Sequence, residues 1–168
     1  MPTDRIAIVF EPKIPVVNQI LILQAIDFLY SAEVLGTYGW RPDATNVPDW
    51  RNRIVSLPGK FIADEHVLRV ESAHSSEVTE VVEGAAGPVE KLIEFLGLYF
   101  QKKRAGEFSL AENKVAFVRT QLLPTIKGLE NAGASERQLQ DLLNKAVLYV
   151  DDVLAELMSQ QKLRIGPP

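Results

Sequence analysis

The chain has 168 residues, of which 46% are hydrophobic and 24% charged, and a net charge of −4. That is ample apolar material for one core, or for one core with an appended helical part, and too much for a disordered chain. The absence of cysteine excludes disulfides, thiol catalysis and the common structural zinc sites, and basic residues spread among acids argue against a nucleic-acid binder.

The opening residues, MPTDRIAIVFEP, lack the basic-then-apolar layout of a secretory signal. The longest apolar runs, 20–30 and 89–100, are interrupted by charge and fall short of a bilayer span. The expectation is a cytoplasmic protein without an integral membrane segment. Residues 5–10, RIAIVF, read as a strand stopped by Pro12 and Pro15. From 15 to 35 the chain has helical length, with Pro15 tolerated in the first turn. Gln24, Asp27 and Ser31 form its one narrow polar stripe, so this helix must be covered on more than one side.

Residues 36–50 are rich in Gly, Pro, Asn and Asp and predict a loop with Trp40 and Trp50 towards its ends. A second strand is expected over 51–57, ended by Pro58-Gly59, a third over 67–72 and a fourth over 78–83. The rest reads as helical. A densely apolar helix over 88–103 ends in Lys102-Lys103-Arg104, charges that suit a helix C-terminus. Ser109 and Glu112 have capping-box spacing, and a helix carrying Val115, Val118, Leu122, Ile126 and Leu129 should follow, kinked at Pro124. After NAGAS, Ser135 and Gln138 supply a second capping box. The last helix has the clearest periodicity: Leu139, Leu143, Ala146, Val150, Val153 and Leu157 recur at threes and fours. The terminal RIGPP reads as a frayed end.

This order predicts an α+β fold, with a small antiparallel or mixed sheet of three to four strands packed by an apolar helix and a C-terminal region of about three helices. Residues 1–104 would form the α+β part. Residues 105–168 would form a helical hairpin, packed on the same core or extending from it as a stalk.

Several polar clusters offer the residue types of a reactive site as well as those of turns and strand ends. His74, Ser75, Ser76 and Glu77 supply the residue types of a hydrolase. Neighbours on a strand nevertheless point to opposite faces, and there is no nucleophile elbow, so a strand end is the better reading. Asp64, Glu65, His66 and His74 have no familiar metal-ligand spacing. PGKF and GAAGP lack the phosphate-loop layout and read as turns. No catalytic residue, cofactor or metal is expected.

The segment LRVESAHSSEVTEVVEGAAGPVEKLIEFLGLYFQKKR, with the earlier PVVNQILILQAIDFLYSAEVL, resembles a class of uncharacterised bacterial proteins. These have a strand, a short Ser/Pro-containing segment and an apolar helix ending in charge. The resemblance covers about half the chain and implies an adaptor or effector-associated module of bacterial signalling or defence. It carries no catalytic motif, and Ser75-Ser76-Glu77 stand where a Ser-Pro would be expected.

The surplus of apolar helix therefore suggests a non-enzymatic protein–protein interaction or oligomerisation module, whose partner is itself or another protein. Leu139, Leu143, Val150 and Leu157 would line a helix–helix contact within or between subunits, and Trp40 and Trp50 have the residue type of binding hot spots. The alternative is a small-molecule sensor whose ligand lies between sheet and first helix, contacted by Gln24 and Asp27. A hydrolase using His74 with Ser75 or Ser76 is the third reading.

Overall fold

The computed structural model describes residues 2–71 and 78–168. Along β1 (Thr3–Phe10), Ile6, Ile8 and Phe10 are buried while Arg5, Ala7 and Val9 are half-buried. That alternation marks a strand with one face on the core. β3 (Thr79–Ala85) runs antiparallel beside it, with Ile6 opposite Val82 and Arg5 opposite Glu83. β2 (Arg69–Val70) and β4 (Leu163–Gly166) are the outer strands, in the order β2-β3-β1-β4. Every pairing is antiparallel, which makes this an α+β fold.

The helices are α1 (Val16–Tyr38), α2 (Trp50–Ser56), α3 (Ala86–Arg104), α4 (Ala111–Gln121), α5 (Leu123–Asn131) and α6 (Glu136–Val147). The last continues through a π-helical segment, Leu148–Ala155, into α7 (Glu156–Ser159). α1 is the central element. It is covered by α3, α5, the π segment and the 3-10 turn Pro58–Lys60, which is why so little of its circumference is polar. Ile22, Ile26 and Leu29 on α1 are excluded from solvent, each worth roughly 1.5–3 kcal/mol of burial. At Gly36 an added Cβ would lie 2.7 Å from Thr125 Oγ1, and that hydroxyl donates to the Ala32 carbonyl at 2.6 Å. The missing side chain thus lets α5 approach α1 closely.

One apolar cluster joins Ile6, Ile26, Leu92, Leu143 and Leu163. The boundary expected at residue 104 therefore does not separate two cores, and the C-terminal helices pack back onto α1 rather than forming a stalk.

Several local expectations are corrected. Of the strand expected over 51–57, residues 51–56 belong to helix α2 instead. Ile54 and Val55 are both buried, whereas a strand would turn neighbours to opposite faces. α2 is held along α6 and its preceding turn by Arg51 Nε donating to the Ala132 carbonyl at 2.9 Å, Gln138 Nε2 donating to Asn52 Oδ1 at 2.8 Å and Lys145 Nζ donating to the Ser56 carbonyl at 2.8 Å. These tertiary partners override a weak β preference. The C-terminal stretch is not frayed: Leu163 is buried opposite Phe10, and Glu11 N–H donates to the Lys162 carbonyl at 2.9 Å. Of the strand expected over 67–72, Arg69 and Val70 pair with β3, and Glu71 N–H extends the ladder to the Val81 carbonyl.

The capping box at Ser109 does not form, because α4 begins after Leu110 without a side-chain cap. The box at Ser135 does: Ser135 Oγ accepts from Gln138 N–H, and Gln138 Oε1 accepts from Ser135 N–H. Pro124 produces a full break rather than a kink, standing in the first turn of α5 where its missing N–H costs nothing. Finally, α1 is long and apolar enough by length and composition to cross a bilayer, contrary to the reading of its apolar run; 61% of its most apolar window is buried inside the protein.

Candidate functional site

One stripe of α1 runs from exposed to buried. Val17, Ile20, Gln24, Asp27 and Ser31 follow at steps of three and four, so they share a helix face. Val17 is 61% and Ile20 51% exposed, Gln24 is exposed, Asp27 is half-buried and Ser31 is fully buried. Val16 and Leu21 widen the outer end into an apolar face on the first turns of α1.

The inner end opens into a cleft of about 250 Å3 between α1, the end of α2, the Pro58–Lys60 turn and the α6–π junction. Gln24, Asp27, Phe28, Gly59, Lys60, Lys145 and Tyr149 line it. Phe28 and Tyr149 meet at 5.2 Å between ring centroids, and the Lys145 ammonium lies 5.6 Å from the Phe28 ring centre. No hydrogen bond or ion pair reaches the Asp27 carboxyl among the described residues, and its burial pushes its pKa upward. Ser31 Oγ, at the deep end of the same stripe, is buried without a hydrogen-bond partner.

Gly59 packs closely against both groups. A Cβ built there would stand 2.9 Å from Asp27 Oδ2 and 3.1 Å from Ser31 Oγ. The cleft does contain Gln24 and Asp27, but it lies against α2, the 58–60 turn and α6. The expected position between sheet and first helix is corrected, because that side of α1 is filled by core packing.

Leu139, Leu143 and Val150 are at most 1% exposed. The contact they line is inside the subunit. Leu157 is half-buried in a groove with Leu21, Asp152 and Val153. Trp40 and Trp50 are half-buried against the core with ring centroids 5.5 Å apart, and Arg51 lies over Trp50 at 4.9 Å. The pair pins the 39–49 connection onto the domain. His66 is buried and stacked on Tyr38 at 4.1 Å. Among the described residues no group of His, Cys, Asp and Glu side chains could hold a metal ion. His74, Ser75 and Ser76 lie outside the described residues.

A polar cluster that periodicity did not foretell sits in the π segment. Asp151 is buried, its Oδ1 accepting from Lys103 Nζ at 2.9 Å and its Oδ2 from Lys114 Nζ at 2.7 Å. Burial alone would raise the Asp151 pKa, but hydrogen bonds from Lys114 and Lys103 carry it below the ordinary value. Burial, then the Asp151 charge, drives the Tyr99 hydroxyl well above the usual tyrosine range. The cluster ties the end of α3 and the start of α4 to the π segment, a geometry that often accompanies function.

No family model matches the chain, and no curated protein or solved structure is similar to it. The resemblance to bacterial adaptor modules therefore rests on the residues that suggested it.

Proposed function

We propose that this chain is a non-enzymatic interaction module that self-associates through the first turns of α1. The observation that carries this reading is the exposure of Val16, Val17 and Ile20, at 70%, 61% and 51%, beside Leu21 at 38%. Contiguous aliphatic side chains on one helix face lose free energy to water unless covered. Val16, Val17, Ile20 and Leu21 carry no charge themselves, with Asp152 and Glu156 only at the Leu21 edge, and two copies of this aliphatic face can cover each other about a two-fold axis. A setting in bacterial signalling or defence is supported by the sequence resemblance alone.

The test is solution mass by light scattering across a wide concentration range, for wild type and Ile20→Glu. The reading expects a discrete dimer that Ile20→Glu converts to a folded monomer. A wild-type monomer at high concentration refutes self-association, and capture of a different protein by the same face would replace it.

A second reading is favoured by the cleft: a small-molecule-binding module, with Asp27 as its principal polar contact. An unpaired carboxyl in a preformed, partly aromatic pocket is unfavourable in the empty protein and suited to a ligand. Thermal-shift screening tests this reading, since a ligand selective for the native state raises its stability.

A further inference from the structure

The lining of the cleft narrows the chemistry of what it would hold. Asp27 presents an unpaired carboxyl, with the unpartnered Ser31 hydroxyl close by. Lys145 lines the same cleft, yet its ammonium is held by the Ser56 carbonyl and the Phe28 ring and makes no ion pair with Asp27. Lys60 is exposed at the border. Opposite charges thus face one small volume without neutralising each other.

Each simple ligand class leaves a charge uncompensated. A neutral apolar molecule would desolvate the carboxyl without giving it a partner. A simple anion would meet Asp27, and a simple cation would meet two lysines. Resting on the ligand-binding reading above, we propose that the cleft binds a small amino-acid-like zwitterion, its ammonium on Asp27, its anionic group towards Lys145 and Lys60. The volume of about 250 Å3 suits a ligand of that size rather than a drug-sized one. Phe28 and Tyr149 would cover the aliphatic segment between the two charges. The absent Cβ of Gly59 leaves the ammonium its approach to Asp27.

The experiment is calorimetric or NMR titration of the full chain with glycine, 4-aminobutyrate, 6-aminohexanoate and glutamate, alongside butylamine and butyrate as single-charge controls. Asp27→Asn and Gly59→Ala are tested in parallel, with circular dichroism confirming that each is folded. At least one zwitterion should bind about tenfold more tightly than either control, the factor expected when a charge-assisted contact worth about 1.4 kcal/mol is lost. Both variants should weaken it about tenfold or more, Gly59→Ala because its methyl displaces the carboxyl. Binding of butylamine or butyrate alone, or a zwitterion unaffected by Asp27→Asn, overturns the zwitterion assignment but leaves a ligand-binding cleft. Silence across the whole panel, with no hit in the thermal-shift screen, overturns both.

Discussion

Replacing Asp151 by asparagine should destabilise the fold by about 2–3 kcal/mol. Removing one member of a buried charge pair typically costs about 3–5 kcal/mol, because the partner keeps its desolvation penalty without compensation. Here the carboxylate is 5% exposed, while Lys103 and Lys114 are 27% and 25% exposed. The lysines can therefore turn partly to water, and the asparagine oxygen can still accept one hydrogen bond, so the expected cost falls below that range. Against a total stability of about 5–15 kcal/mol, the loss is large. In urea, with a slope of about 2 kcal/mol per molar, the midpoint should fall by about 1–1.5 M. Lowered in the folded state, the Asp151 pKa makes this stabilisation fully present above the ordinary carboxylate value and removes it as pH falls through the folded one. Wild type and variant should therefore converge in acid. A midpoint within about 0.25 M of wild type at pH 7 would refute the assignment of this triad as a buried fastening.

Three further outcomes follow from single side chains. Val150→Asp places a charge at a position 1% exposed, and loss of the folded far-ultraviolet signal is expected; a folded but dissociated variant would instead put Val150 in an interface. Tyr30→Phe removes a hydroxyl that donates to the His66 carbonyl and accepts from Ala85 N–H at 2.8 Å. It should cost about 2–3 kcal/mol in denaturant unfolding, and a cost under about 0.5 would mean these backbone groups find other partners. Asp27→Asn should raise stability at neutral pH. A carboxyl whose folded pKa is raised loses its proton more readily in the unfolded chain, a penalty present above the ordinary carboxylate range and absent below it. Thermal melts at pH 7 and in acid decide it, and an equal or lower melting temperature at neutral pH would count against an unpaired carboxyl.

The fold was legible where local chemistry and burial agree. β1 announced itself by β-rich composition between turn residues, α1 by its single narrow polar stripe, and α6 by the capping box at Ser135 and the stripe that follows it. Distant partners decided the rest. Residues 50–56 became helical because α6 offers side-chain donors and an apolar seat along its length, and the turn before it the Ala132 carbonyl, none of which a seven-residue window contains. β4 hides in a short segment whose pairing partner, β1, lies at the other end of the chain. The π segment was invisible for a different reason: Leu139, Leu143, Val150 and Leu154 keep an ordinary helical rhythm, and only Asp151 among buried neighbours betrays the extra residue per turn. In the candidate site, Gln24 and Asp27 could be named from the stripe. Gly59, Lys145 and Tyr149 could not, since tertiary packing alone brings them to it.

The pairing of β4 with β1 bears on how the chain is made. On the ribosome β1 emerges early and β4 after every other described element, so one edge of the central strand stays open while the intervening helices are synthesised. During that interval residues 7–10 offer free amides and carbonyls beside Ile8 and Phe10, side chains that will later be buried. Such an edge can recruit strands from neighbouring nascent chains. Stalled or truncated products lacking residues 163–166 should thus be the aggregation-prone species, and a chaperone shielding this edge would matter most during translation.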